Sequence, residues 1–254
     1  MSDLANLIER VAAVRATAPK ERSILVALSG IDGSGKGWLS GQLVTAVRER
    51  GYRVAAINID GWLNLPPARF NPANPAEHFY LHAIRFDEMF AQLVLPLRDN
   101  RSVTVTVDHV EETARDYERR TYTFHDIDVI VLEGIYLLKS EFVRYYDLSV
   151  WIDCTFETAL ERAIARGQEA LGPEATVRAY QTIYFPAQET HFRRDRPLEL
   201  ADMVVANDPR LISARGSGDQ ADSAAGSLRS PARAMAQSHA RDRVQRDAPG
   251  VSAT

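Results

Sequence analysis

The sequence has very little cysteine, no long apolar run and almost no net charge. Its single cysteine, Cys154, cannot form a disulfide within the chain and is typical of a reducing compartment. No apolar segment approaches the roughly 20 residues that span a bilayer, and the opening residues, MSDLANLIER, contain acids where a secretory signal has an apolar run. A net charge of -4 gives no electrostatic reason to expect nucleic acid or an anionic membrane as a partner. We therefore expect a cytoplasmic protein.

Near its start the sequence contains an ordered pattern of strand, glycine-rich loop, helix and strand. The apolar run SILVALSG (23–30) ends in glycine, and Leu39, Leu43 and Val47 then recur at helical spacing before a second apolar run at 53–60. This order is typical of a βαβ unit with parallel strands. Further strand-like segments lie at 102–109, 120–125, 128–134, 147–153 and 201–208. We predict an α/β fold with an open, mostly parallel sheet flanked by helices.

The composition divides the chain into three segments. We predict an amphipathic helix within 1–22, a single α/β domain over 23–210, and a disordered tail over 211–254, where large apolar residues are almost absent. Within the domain, residues 64–76 are rich in proline and asparagine and are predicted to form a loop. Apolar residues in 79–93 follow helical spacing and predict one continuous helix.

The loop after the first strand reads GIDGSGKG (30–37) and fits the phosphate-binding pattern G-x-x-x-x-G-K. Backbone N–H groups of such a loop surround phosphate oxygens, because glycine lets the backbone approach closely. The following helix adds the positive end of its dipole, and Lys36 adds a mobile charge. The sequence therefore predicts nucleotide binding by Gly30, Ile31, Asp32, Gly33, Ser34, Gly35, Lys36 and Gly37.

Gly37 departs from the pattern, which has serine or threonine at this position. The hydroxyl that normally reaches Mg²⁺ is therefore missing, whereas the backbone and Lys36 that hold the phosphates are unchanged. Water can replace one ligand of a largely hydrated metal ion. We expect nucleotide binding to persist with weaker metal affinity, and the alternative is a loop that binds nucleotide without catalysis.

Several motifs in a fixed order resemble the uridine kinase and phosphoribulokinase group of P-loop kinases. The motifs are GIDGSGK, INIDGW (57–62), PAEHF (75–79), VIVLEGIYLL (129–138) and YFPAQETHF (184–192). The resemblance extends from residue 23 to about residue 208. It implies a kinase that takes ATP (or GTP) as phosphate donor, requires Mg²⁺ and phosphorylates a hydroxyl of a small molecule.

The resemblance also implies roles for individual residues of the reaction centre. Asp60 matches the family's base, which takes the proton of the acceptor hydroxyl, and it lies near the metal. Glu133 matches the acid that helps to hold Mg²⁺, and Lys36 and Arg166 match the groups that steady the transferred phosphoryl. A base, a metal ion and cations around the γ-phosphate are the groups that phosphoryl transfer requires.

The positions that would bind the acceptor match the family less well. The resemblance implies substrate contacts for Glu77, Asp108 and Arg162. The nucleoside kinases have an aromatic residue where this chain has Val107 and a histidine where it has Glu112. The phosphotransferase is therefore better supported than the identity of its acceptor.

Three hypotheses about function remain open from the sequence. The first is a kinase of uridine or cytidine, the acceptors suggested by the resemblance, which would place the protein in pyrimidine salvage. The second is a kinase of another hydroxyl compound, as in pantothenate kinase or phosphoribulokinase. The third is a regulatory protein that binds nucleotide without turnover, which Gly37 favours. The sequence also leaves open whether the chain forms a homo-oligomer.

Overall fold

The computed structural model describes residues 3–167 and 171–211 of the chain. Within them, no helix is long and apolar enough to cross a membrane. The strands of these residues are β1 Ile24–Gly30, β2 Val54–Asn58, β3 Val103–His109, β4 Glu118–Phe124, β5 Val129–Gly134, β6 Leu148–Asp153 and β7 Met203–Ala206. Five of them form a parallel sheet in the order β2-β5-β1-β6-β7, and β3 and β4 pair as an antiparallel hairpin.

Helices flank the sheet and connect its strands. In the described residues they are α1 Asp3–Thr17, α2 Lys36–Glu49, α3 Pro66–Arg69, α4 Pro75–His82, α5 Phe86–Met89, α6 Leu95–Asn100, α7 Phe156–Arg166, α8 Pro173–Ala179, α9 Phe185–Asp195 and α10 Pro197–Leu200. Turns of π-helix, Phe90–Val94 and Tyr180–Tyr184, join α5 to α6 and α8 to α9. A short 3₁₀ turn, Ile59–Trp62, follows β2.

The burial of the central strand β1 shows that both faces of the sheet are covered. Every residue of β1 is buried, as expected of a strand covered on both sides. Val26 and Leu28 pack with residues of α1 and α2 in one core cluster. Leu25 and Ala27 pack in a second cluster with residues of α4, α5, α9 and the hairpin. The predicted α/β fold with a mostly parallel sheet is confirmed.

The prediction of one continuous helix over 79–93 is wrong. Helix α4 ends at His82, and the next residues form an isolated bridge between Leu63 and Ile84 before α5 begins. The N–H of Arg85 donates to the carbonyl of Trp62 at 2.9 Å, so a tertiary contact replaces the helical hydrogen bond. The apolar spacing persists through the break because both helices pack on the same core.

Two further differences concern segments that the sequence pattern did not resolve. The predicted loop 64–76 contains α3 and the start of α4. The segment 173–195 was not predicted to be helical, and it forms α8, a π turn and α9. Pro186 lies early in α9, directly after the π turn, and proline lacks the N–H that a regular helix would require there. Of the predicted tail 211–254, all but the first residue lies outside the described residues.

Candidate active site

A cleft of about 420 Å³ opens beside the carboxyl ends of β1, β2 and β5. Ligands of open α/β sheets bind at this edge. The loop side of this cleft consists of the residues that come from the glycine-rich loop and α7. The helix side consists of those that come from α3, α4, the segment after β5, α9 and the π turn that precedes α9. The loop side includes Asp32, Gly33, Gly35, Lys36, Gly37, Arg162 and Arg166; the helix side includes Arg69, Phe79, Tyr136, Tyr184 and Gln188; Asn58, Asp60, Glu112 and Glu133 also line the cleft.

The loop takes a backbone shape that requires glycine at two positions. Gly33 and Gly35 have φ angles of +77° and +88°, in the left-handed region. A Cβ at Gly33 would lie 2.6 Å from the carbonyl oxygen of Ala159, and one at Gly35 would lie 2.2 Å from the amide nitrogen of Asn207. The glycines of the motif therefore allow both the turn and its close packing against the neighbouring elements.

Three side chains fix the loop by binding its carbonyl oxygens. The amide of Asn207 donates to the carbonyl of Ser34 at 2.8 Å, and Lys36 Nζ donates to the carbonyl of Ile31 at 2.9 Å. Arg162 donates to the carbonyls of Gly33 and Ser34 at 3.3 Å each. Arg162, a predicted substrate residue, thus lies in the cleft, but its guanidinium donates hydrogen bonds to the loop. Its contact with substrate stays a prediction.

Asp32 connects the loop to the helices that follow β6. Its carboxylate accepts hydrogen bonds from the hydroxyl of Tyr180 and from Arg166, the latter at 3.4 Å. Burial opposes ionisation of Asp32, but the charge of Lys36 and the hydrogen bond from Tyr180 hold the carboxyl pKa below its ordinary value. Arg166, the predicted phosphoryl-steadying residue, therefore lies at the cleft in an ion pair that an incoming phosphate can compete for.

Asp60 and Glu133 come together at the ends of adjacent strands. Asn58 and Glu133 are register partners in β2 and β5. The side chain of Asn58 joins the two acids, since its oxygen accepts from the N–H of Asp60 at 2.7 Å and its amide donates to Glu133 at 3.1 Å. Asp60 was predicted at the end of the strand; it lies in the 3₁₀ turn beyond β2, because Asn58 caps that turn.

Both carboxyls are shifted towards the protonated form. Desolvation in the cleft raises the pKa of Asp60, and Asp32 raises it further against the opposing charge of Lys36. Desolvation likewise raises the pKa of Glu133, with Asp60 contributing as a like charge. A carboxyl group whose pKa is raised by burial and by neighbouring carboxylates is a favourable setting for a cation or for proton transfer.

The donor set of the cleft suits Mg²⁺. In the described parts of the chain, no three acidic, histidine or cysteine side chains are arranged to hold a metal alone. Mg²⁺ does not require such a group, because it usually keeps several waters and binds through one or two carboxylates and the phosphates of the nucleotide. Asp60 and Glu133 supply two such oxygen ligands beside Lys36.

Gly37 lies exposed at the first turn of α2, with open space around it. A Cβ at this position would have no heavy atom within 4 Å. A serine would therefore fit, so packing does not force the loss of the hydroxyl. The glycine-rich loop forms its turn without a hydroxyl at residue 37.

The helix side contains polar groups that the sequence analysis missed. Arg69, Tyr136 and Gln188 line the cleft and are all deeply buried. Within the described ranges, Arg69 Nε, the Tyr136 hydroxyl and Gln188 Oε1 have no hydrogen-bond partner. Gln188 and Tyr136 stand within quoted motifs, but nothing in the sequence shows that they line a cleft with a buried polar atom each.

Two predicted substrate residues do not line the cleft. Glu77 accepts from the amide of Asn74 at 2.8 Å and lies 3.8 Å from Arg194. Asp108 pairs with Arg119 at 2.8 Å on the hairpin. Both side chains are thus engaged in local surface contacts, and their contact with substrate stays a prediction.

The sequence profile of the phosphoribulokinase/uridine kinase family matches residues 25–205. The chain belongs to this family. A curated relative, the uridine kinase of Macrococcus caseolyticus, is 28% identical over 190 residues, which cover 72% of this chain and 88% of the relative. The protein is thus a member of a family of small-molecule kinases with a nucleotide-binding P-loop.

Solved structures resemble this family member in fold. A structure described as a possible uridine kinase from Bacillus stearothermophilus has a TM-score of 0.62 at 20% identity and covers 80% of this chain and 99% of its own. D-glycerate 3-kinase from Cryptococcus neoformans has a TM-score of 0.52 at 11% identity and covers 77% of this chain and 89% of its own. At these identities the likeness concerns the fold, which is that of a P-loop kinase.

Proposed function

We propose that the protein transfers the γ-phosphoryl group of ATP (or GTP) to a hydroxyl of a small molecule. The observation that supports this most is the position of Asp60 and Glu133 beside Lys36, with Asn58 holding the two acids together. A protein that only binds nucleotide has no use for a carboxylate in this position. The raised pKa of Asp60 suits a group that accepts a proton and releases it again.

The proposed transfer accounts for each bond formed or broken and for the proton. The acceptor oxygen attacks the γ-phosphorus, the bond from that phosphorus to the β–γ bridging oxygen breaks, and ADP leaves. The hydroxyl proton passes to the carboxylate of Asp60. Lys36 and Arg166 line the cleft, and we expect their charges to steady the transferred phosphoryl. Mg²⁺, held by Glu133 and Asp60, would supply charge neutralisation at the phosphates when bound.

Two kinds of acceptor are candidates. Uridine is suggested by the curated relative, a uridine kinase at 28% identity. Uridine and cytidine are both suggested by Phe79 and Tyr184, whose rings could stack on a base. An acceptor that carries a carboxylate or phosphate is the second candidate, and it is favoured by the buried guanidinium of Arg69 in the cleft. A structural neighbour with low identity, D-glycerate 3-kinase, acts on such a compound by its name.

The rival from another class is a regulatory nucleotide-binding protein. Its support is Gly37, which removes one ligand of the metal. Against it, the backbone N–H groups and Lys36, which we expect to hold the phosphates, do not depend on that hydroxyl.

The test is an ADP-release assay over a panel of hydroxyl compounds, with mass spectrometry to detect the phosphorylated acceptor. We expect at least one compound to gain a phosphoryl group in proportion to the ADP released. Lys36→Ala should abolish the signal while the melting temperature stays near that of the parent. Tight ATP binding without ADP release for any acceptor would favour the regulatory protein instead.

A further inference from the structure

Arg69 is a buried cation to which the described residues offer no carboxylate partner. It lies in α3, is 6% exposed and lines the cleft. One guanidinium nitrogen donates to the backbone carbonyl of Glu112 at 2.8 Å, and the guanidinium lies 4.9 Å from the centre of the Phe70 ring. Its Nε has no hydrogen-bond partner in the part of the chain that the structure describes. Over residues 3–167 and 171–211, no carboxylate oxygen lies within 4.0 Å of this guanidinium.

The other cations of the cleft are engaged on the loop side. Lys36 donates to the carbonyl of Ile31, and Arg162 binds the loop carbonyls. Arg166 pairs with Asp32. Arg69 is the cation that lines the helix side of the cleft. Because the loop side is expected to hold the nucleotide phosphates, Arg69 is not needed for them.

A buried charge is costly unless an opposite charge and hydrogen bonds compensate it. Carbonyl oxygens, including those of a nucleobase, can satisfy the donors of a guanidinium but leave its charge uncompensated. A carboxylate or phosphate satisfies both, and the planar fork of arginine matches its oxygens. Four acids line the cleft, namely Asp32, Asp60, Glu112 and Glu133, and each would repel such a group, so Arg69 is left as its site.

Two neutral polar groups accompany Arg69 on the helix side. Gln188 is 2% exposed and Tyr136 is 1% exposed, and Gln188 Oε1 and the Tyr136 hydroxyl lack partners among the described residues. An amide oxygen accepts a hydrogen bond, and a phenol can donate one. Buried polar atoms are almost always bonded, so a ligand with hydroxyls is the partner that this part of the cleft fits.

We propose that Arg69 binds an anionic oxygen group of the acceptor, so that the acceptor is a small hydroxy acid or a phosphorylated polyol. This rests on the kinase proposed above. Arg69 holds the carboxylate or phosphate, while Gln188 and Tyr136 bind hydroxyls. A further hydroxyl of the same molecule faces Asp60, loses its proton to that carboxylate and receives the γ-phosphoryl group.

The test compares binding of five probes to the full chain by calorimetry, with a non-hydrolysable ATP analogue present. D-glycerate and pantothenate carry a carboxylate, ribulose 5-phosphate carries a phosphate, and uridine and cytidine are neutral. We expect at least one of the three anions to bind, and its identity distinguishes the two sources of the charge. Arg69→Gln should weaken that binding roughly 10- to 100-fold.

The matched control is Arg85→Gln. Arg85 also packs on aromatic rings, those of Trp62 and Tyr117, and its guanidinium donates to the carbonyl of Asp108 at 2.6 Å. It does not line the cleft. This variant should keep the parent's affinity for the anion, and the melting temperatures of both variants report the cost of losing a packed arginine.

Steady-state kinetics separate binding from folding. Arg69→Gln should raise KM for the anionic acceptor and leave KM for ATP near the parent's value, and Arg69→Lys should recover part of the loss. The inference fails if uridine or cytidine binds and no anion does, if no anion binds, or if Arg69→Gln leaves anion affinity unchanged. If a neutral acceptor alone is phosphorylated, the inference about Arg69 is wrong, whereas the proposed kinase activity stands.

Discussion

The loop side and the helix side differ in whether the polar side chains that line the cleft have hydrogen-bond partners. On the loop side, Lys36, Arg162 and Asp32 all have hydrogen-bond partners within the protein. On the helix side, Arg69 and Gln188 each have a buried polar atom with no partner among the described residues. The first arrangement is a site preformed by backbone geometry. The second is a site whose hydrogen bonds are completed by a ligand.

This difference between the two sides indicates which of them we expect to discriminate among ligands. A loop built from glycine and backbone N–H groups binds phosphates of any nucleotide and is therefore shared among many proteins. Side chains with unsatisfied groups discriminate among ligands, because a ligand that fails to satisfy them leaves the desolvation cost in place. We therefore expect the helix side to select the acceptor.

The largest expected effect comes from Asp60→Asn, which removes the base between the two sides. We expect turnover to fall roughly 10²- to 10⁴-fold, because general-base catalysis typically contributes that much. ATP affinity should stay near the parent's, since the loop and Lys36 hold the phosphates. Calorimetry with an ATP analogue and a coupled ADP assay measure the two quantities. Equal turnover in parent and variant would remove Asp60 from the reaction.

A second substitution tests whether the loop side is built by its backbone. Gly33→Ala should weaken ATP binding about tenfold or more, because φ is +77° and the new Cβ would meet a carbonyl at 2.6 Å. Gly37→Ala is the matched control, with open space around the new methyl group. Nucleotide titrations of both variants decide the point, and equal affinities would mean that the loop does not hold the phosphates in this shape.

A pair of tyrosines compares the two sides directly. Tyr180→Phe removes a hydroxyl that donates to Asp32 and should lower the melting temperature by a few degrees. Tyr136→Phe removes a hydroxyl that has no partner among the described residues, so it should leave the melting temperature unchanged or raise it. The acceptor KM should increase a few-fold in Tyr136→Phe alone. Thermal melts and kinetics that showed the reverse order would contradict the contrast between the sides.

The raised pKa of Asp60 gives a signed pH dependence. The base must be ionised, so turnover should fall as the pH decreases through a value above the ordinary carboxyl pKa of about 4. In the same window the folded protein binds more protons than the unfolded chain, so the free energy of unfolding should decrease as the pH rises. Asp60→Asn should flatten both profiles, which pH–rate curves and melts will measure. An acid limb that survives in the variant would have to be assigned to another group.

The smallest expected effect concerns the missing hydroxyl. Gly37→Ser should lower the Mg²⁺ concentration for half-maximal activity a few-fold, because the serine oxygen can replace a water ligand. The open space at this position lets the side chain enter without moving its neighbours. A magnesium titration of parent and variant provides the measurement. An unchanged midpoint would show that residue 37 does not reach the metal.

Local pattern was enough to predict the loop side. The buried run of β1, the glycines of the loop and the lysine that follows are contiguous, and their geometry is largely set by φ angles that only glycine takes readily. The helix break after His82 was not predictable in this way. It depends on the contact of Arg85 with Trp62, two residues that are distant in sequence.

What the sequence determined by itself was the α/β fold, the P-loop and the presence of Asp60 and Glu133 after apolar strands, because each depends on neighbouring residues and their periodicity. The tertiary structure decided which polar atoms are buried without partners. Arg69, Tyr136 and Gln188 come from three separate elements, and each is an ordinary residue in its own segment. Their shared cleft exists only when α3, the end of β5 and α9 pack together, since burial and unsatisfied hydrogen bonds are properties of that packing.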